Sequence, residues 1–312
     1  MKTIKIISVG GLLFLLTTGM AQQLGKRVGP QFLFLSSSTR SASLADASSA
    51  VIDDFSGFGS NPSNLGMLKK SSIDYSIHRI QAGVTFEHIG FVYKATNVEA
   101  ISFNFEVLHQ GGADFYTDEN VRKLGYEART GIAYGRLLTE DLSAGLDLQA
   151  ITSTTGPNSV WAVGGNIGLT YAPGKNIRYA LMLKGLGSDY KVPASLIQTD
   201  RYESRITKVI TLGLAFDFPF DDHRKAFLLA LQNDKILGEK GLLYRIGVEY
   251  SLLSFGNSIR FSFRGGFIIR GLDISPRCGI GFGVAKISFD YSYGYLKSKN
   301  QPSHSFSFSY KW

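Results

Sequence analysis

Hydrophobic and polar residues alternate one for one along most of the chain beyond residue 71. In residues 285–295, AKISFDYSYGY, the side chains of Ile287, Phe289, Tyr291, Tyr293 and Tyr295 fall on one side of an extended strand. Those of Lys286, Ser288, Asp290, Ser292 and Gly294 fall on the other, because successive side chains of a strand point to opposite faces. Tyr244, Ile246, Val248 and Tyr250 oppose Arg245, Gly247 and Glu249 in the same way, and Ile259, Phe261 and Phe263 oppose Arg260, Ser262 and Arg264. The stretch SHSFSFSYKW sets Phe306, Phe308, Tyr310 and Trp312 against Ser305, Ser307, Ser309 and Lys311. Fainter copies run through residues 101–107 and 142–149, where Ile101, Phe103 and Phe105 oppose Ser102 and Asn104.

A single alternating run fits a soluble sandwich as well as a membrane barrel. Their number and length separate the two. About 14 runs follow one another, at 72–78, 84–94, 98–109, 125–137, 141–152, 160–172, 177–187, 206–218, 224–233, 242–253, 257–269, 274–284, 286–297 and 303–312. Most match the ~9–11 residues that a membrane-crossing strand needs. Their connections alternate between tight (ATNV, LTED, APGKN, PFDDH, SFGN) and longer, the longest being QGGADFYTDENVRKLG and SDYKVPASLIQTDRYES. Short turns on one rim and longer loops on the other predict an all-β chain: an antiparallel transmembrane barrel of about 14 strands over residues 72–312, with the longer loops outside. In a closed barrel the last strand pairs on both edges and turns its aromatic row to lipid.

Composition supports this picture. Charged residues make up 19% of the chain, against about 25% in soluble domains, while glycine and aromatic residues are plentiful. The first 21 residues place Lys2 and Lys5 before an apolar run, Ile6 to Leu16, and put Gly19 and Ala21 just before Gln22. That is the layout of a secretory signal peptide, and the run is shorter than the roughly 20 apolar residues of a membrane helix. An exported chain with one cysteine, Cys278, is not held by internal disulfides. The expected location is the outer membrane of a Gram-negative bacterium, in contact with its lipid and lipopolysaccharide.

Residues 22–71 do not alternate. They are rich in serine and alanine, with a short helix expected over Ser41 to Asp54, followed by a turn-rich passage at Gly57, Gly59, Pro62 and Gly66. Too polar to span lipid and too small-sided for a core of its own, this part is expected to plug the barrel. RSASLADASSAVIDDFSGFGSNPSNLG, with Arg40, Asp46, Asp53, Asp54, Asn61, Pro62, Ser63 and Leu65 at the matching positions, resembles the N-terminal hallmark of the FadL-like barrels. It is closer still to that of the PorV/PorQ family of Bacteroidetes. The third position of the Asn-Pro-Ala motif is Ser63 here. The resemblance implies a plugged 14-stranded barrel that acts without catalysis in type IX secretion or surface attachment, with secretion subunits and cargo as partners. The alternative is a FadL-like transporter of long-chain fatty acids or other hydrophobic small molecules, with residues 41–65 as the hatch. A terminal aromatic also resembles an outer-membrane assembly signal, formed here by Phe308, Tyr310 and Trp312.

The inward rows hold charges of both signs, among them Arg245, Glu249, Arg260, Arg264 and Asp290. Such a mixture belongs in a wet or ion-paired lumen, not in a dry core. Charge alone suggests that Asp53 and Asp54 meet Arg260 and Arg264. The five histidines, His78, His88, His109, His223 and His304, lack metal-ligand spacing, and the glycines of GIGFGVA open no helix and hold no nucleotide. Basic residues are spread rather than interleaved with aromatics, so nucleic-acid binding is not expected. No cofactor, metal or catalytic residue is expected.

Overall fold

The computed structural model describes residues 35–52, 59–80, 84–110, 126–155, 158–174, 176–188, 206–220, 225–254, 258–296 and 301–312. Residues 1–34, with the expected signal peptide, lie outside them, as do Asp53 and Asp54 and most of the two longest connections.

Fourteen strands form one closed antiparallel barrel. They are β1 (Ser72–Ile80), β2 (Val84–Lys94), β3 (Glu99–Gln110), β4 (Tyr126–Leu137), β5 (Leu142–Thr155), β6 (Asn158–Tyr171) and β7 (Ile177–Gly187), then β8 (Val209–Phe220), β9 (Lys225–Ile236), β10 (Leu243–Ser254), β11 (Ile259–Arg270), β12 (Asp273–Val284), β13 (Ile287–Leu296) and β14 (Gln301–Lys311). Each pairs with its neighbours in sequence, and β1 with β14 closes the ring. Nine residue pairs, Ser72↔Lys311 to Ile80↔Ser303, form that seam. Ser309 donates to the buried Asp74 across it, and the Trp312 amide donates to the Ser71 carbonyl at 3.1 Å.

The alternation read from the sequence is the inside–outside alternation of this wall. Phe105, Leu148, Phe263, Ile280 and Phe289 point outward, each about half exposed, while Ser262, Ser292, Ser305, Ser307 and Ser309 are buried inside. An outer surface so apolar is what a lipid bilayer covers. Outward rings meet at tilted angles from strand to strand, as in Phe261 with Phe282 at 5.1 Å, Phe289 with Phe308 at 5.3 Å and Tyr291 with Phe306 at 5.0 Å between centroids. Phe308, Tyr310 and Trp312 belong to this outer surface, with the Trp312 ring against Tyr310 and Phe91.

The pairing register shifts once among the described pairs, between Gly165 and Ile167 of β6 and their partners on β7. β5 and β6 run past the ends expected at 152 and 160 and pair up to Thr155↔Asn158.

Residues 35–52 and 59–71 enter the lumen. The helix expected over Ser41 to Asp54 is much shorter: α1 spans Thr39–Ser43, capped by the Ser38 hydroxyl. Ala45 and Asp46 then take left-handed backbone angles, φ 56° and 61°, which no right-handed helix continues through. After residue 58 the segment returns in a 3-10 helix, Pro62–Met67, and leads into β1. The inner wall is shaved to admit it: a side chain at Gly247 would set its first carbon 2.5 Å from the Leu44 carbonyl oxygen, and one at Gly135 would come equally close to that of Pro62.

Candidate functional site

The plug meets the wall at three kinds of contact, each built by inward residues that strand alternation places there. The first is ionic. Glu249 on β10 and Arg264 on β11 are direct cross-strand partners, and Arg264 Nε lies 2.6 Å from Glu249 Oε2. The other end of that guanidinium reaches Asp290 on β13 at 2.5 Å. It crosses β12 at Gly281, where any side chain would collide with both groups. Arg40 of α1 completes the group with a two-pronged bond to Glu249, at 2.7 and 3.0 Å. All four side chains are nearly buried. Such an array holds because each charge has its partner, and removing one strands the others.

The second contact is amide and hydroxyl chemistry around Asn61. Its Oδ1 accepts from the Ser63 amide at 3.1 Å and from the Ser63 hydroxyl at 2.8 Å, capping the 3-10 helix, with Pro62 at the position where a missing N–H does no harm. Its Nδ2 donates to the Ser49 carbonyl and to Thr170 Oγ1 on β6, both at 3.1 Å. Asn64 repeats the device, donating to the Ser49 and Val51 carbonyls and accepting from Thr170. The two asparagines therefore clamp residues 49–51 to 61–64 and fix both to the wall. Asn61→Ala is expected to loosen this clamp by about 1–3 kcal/mol, measured as faster amide exchange over residues 61–67 while the strands stay protected. The third contact is apolar: Leu44, Ala47, Ala50 and Val51 pack on Ala180, Ala215 and Ala230 of the wall, beside Arg178, which donates to the Ala50 carbonyl and pairs with Asp217.

Toward the rim of the longer connections the lumen changes character. Phe86, Leu108, Ile151 and Ile206 form a buried apolar cluster inside the barrel, with Leu35 and Val84 against it. Beneath it lies a charged layer: Glu106 pairs with Arg129 and accepts from Ser37 of the plug at 2.7 Å, and Arg129 reaches Gln149 at 3.3 Å. Between this layer and the plug is a cavity of about 100 Å³. The plug side of the cavity includes Ser38 and Asp46, and the wall side Met182, Lys184, Ile206 and Arg245.

The structure thus brings together most of the residues singled out from the sequence. Arg40, Asn61, Pro62 and Ser63 join plug to wall, Asp46 faces the cavity, and Glu249, Arg264 and Asp290 form the ionic array. Arg245 belongs to a separate pair, 3.0 Å from Asp234. Arg260 lies on the inner row near the tight turn before β11 and is exposed. Asp53 and Asp54 lie outside the described residues, and the carboxylates beside Arg264 are Glu249 and Asp290. Sequence reading missed Asp234 and Gln232, which the structure turns inward. In FLLALQND, leucines occupy both faces and hide the parity that sends Asp234 inward. Inward glycines on regular strands, such as Gly135 and Gly247, were a legible signal that something presses on the wall there.

No protein-family model and no curated protein sequence matches the chain. Solved structures do share its fold. The toluene transporter TbuX of Ralstonia pickettii aligns over 90% of this chain and 100% of its own, with a TM-score of 0.57 at 12% identity. The monoaromatic hydrocarbon channel CymD aligns over 88% and 96%, with a TM-score of 0.58 at 13% identity. A FadL homologue of Pseudomonas aeruginosa aligns over 88% and 97%, with a TM-score of 0.55 at 9% identity. Across most of its length, then, the chain has the fold of these FadL-type barrels.

Proposed function

We propose that this barrel sits in the outer membrane and passes a hydrophobic small molecule inward, without catalysis, the plug closing the route when no solute is present. The observation that carries this reading is the apolar cluster of Phe86, Leu108, Ile151 and Ile206 inside the lumen. A water-filled pore has no use for a greasy vestibule, whereas a solute leaving a polar lipopolysaccharide surface gains about 25 cal/mol per Å² of apolar area it buries there. The likeness of fold to toluene and hydrocarbon channels points the same way. Phe308, Tyr310 and Trp312 are read as the row that the assembly machinery recognises.

Uptake of labelled toluene and oleate by cells with and without the gene tests the reading. Deletion is expected to slow entry of one of them several-fold, and the wild-type gene but not a Leu108→Asp variant to restore it. Equal rates with and without the gene would refute it. The secretion reading rests on the resemblance at Arg40 to Leu65, of which Asn61 belongs to the plug clamp. Cargo retained in the periplasm of the deletion strain, with solute entry unchanged, would favour that alternative.

A further inference from the structure

Most ionisable groups around the plug cavity are committed to one another. Asp234 is taken by Arg245 at 3.0 Å, by Thr211 at 2.6 Å and by Gln232 at 3.1 Å, and Arg129 is taken by Glu106. Two are not. The Lys184 ammonium has no hydrogen bond or ion pair among the described residues, although the charges of Asp234, Arg245 and Asp46 act on it. The Asp46 carboxyl likewise has no partner there, and its Oδ1 is buried.

Both side chains are aimed by irregular backbone. Lys184 sits at the register shift between β6 and β7, beside Gly185 at φ 72°, whose amide is held by Asn166 Oδ1 at 2.9 Å. A bulge of this kind redirects the side chain next to it. Asp46 follows Ala45 through two successive left-handed residues, which turn the plug chain so that the carboxylate faces the cavity. Two independent devices, one in the wall and one in the plug, thus present opposite charges to one space and leave them too far apart to pair. Asp234 acts on Lys184, and Asp46 on Arg277, only from beyond hydrogen-bond reach, so a ligand that brings both complements into contact gains from each.

We propose that this cavity binds a small zwitterion with a short apolar body, its acidic group toward Lys184, its ammonium toward Asp46, and its carbon skeleton on Met182, Ile206 and Val209. An anion alone gives Asp46 no hydrogen-bonded partner and is repelled by it. A cation alone meets Lys184 and Arg245. At about 100 Å³ the cavity is smaller than the ~150 Å³ that admits benzene, so the class is that of amino acids no larger than alanine. This site shares Ile206 with the apolar cluster of the route proposed for hydrophobic solutes, but its argument does not rest on that route.

Calorimetric titration of the purified full-length barrel in detergent tests the proposal, with L-alanine and 3-aminopropanoate as probes for adjacent and separated charges. Propanoate and ethylamine serve as the single-charge controls. One zwitterion is expected to bind saturably and each control at least about tenfold more weakly. Lys184→Met and Asp46→Asn are each expected to weaken binding by a similar factor, while heat-modifiable migration shows that the variants are folded. If Asp46→Asn does not assemble, Lys184→Met alone decides. The proposal is overturned if neither zwitterion binds the folded barrel, if a control binds equally well, or if Lys184→Met leaves affinity unchanged.

Discussion

Glu249→Ala is expected to release the N-terminal segment from the wall and to weaken its docking by about 3–5 kcal/mol, the usual penalty for removing one partner of a buried ionic group. Arg264 keeps Asp290 in the variant, but Arg40 is left with its charge buried and its two-pronged acceptor gone. Two readouts follow. Conductance across a planar bilayer should rise, because the segment that fills the lumen leaves it more often. A cysteine at Ser41, in a Cys278→Ser background, should react with a membrane-impermeant thiol reagent much faster than in the unaltered barrel, where Ser41 is buried. Removing the second charge as well, in Arg40→Leu with Glu249→Gln, should recover much of the loss. Unchanged conductance and labelling in Glu249→Ala would show that the clamp around Asn61 and the apolar contact hold the plug without the ionic array.

Phe105→Arg should destabilise the barrel in lipid vesicles by about 2–4 kcal/mol, as arginine does near the bilayer midplane of such proteins. Phe105 lies midway along β3, points outward and is about half exposed. On a protein surrounded by water that exchange would remove an exposed aromatic from the surface and leave stability almost unchanged. The urea midpoint of refolding in vesicles therefore measures what covers the wall. A midpoint equal to that of the parent protein would mean that water, not hydrocarbon, lies against Phe105.

Strand number, parity and order were legible in the sequence because each strand repeats a two-residue rule under one strong constraint, an apolar face outside and the plug inside. Ile287, Phe289 and Tyr291 could be assigned outward from their neighbours alone. The plug obeys no such rule. Its serines and alanines read as a helix over Ser41 to Asp54, yet the chain turns left-handed at Ala45 and Asp46, and side chains from distant strands supply the partners a longer helix would have found within itself. Ion pairing was illegible for a related reason. The choice of Glu249 and Asp290 by Arg264 depends on cross-strand register and on the gap at Gly281, and neither appears in a list of charges.

The distances along the chain between plug and wall partners impose an order of events on biogenesis. Arg40 of the plug and Glu249 of the wall are 209 residues apart, and Asp74 and Ser309, which join the first and last strands at the seam, are 235 apart. Contacts so remote in sequence form late, since the intervening loop must be closed first. The part of the chain synthesised first is consequently among the last to settle, and it waits until the cylinder it fills has shut. During that wait its small hydroxyl side chains present little for aggregation to act on. The serine content of the plug thus suits the unassembled intermediate as much as the finished barrel.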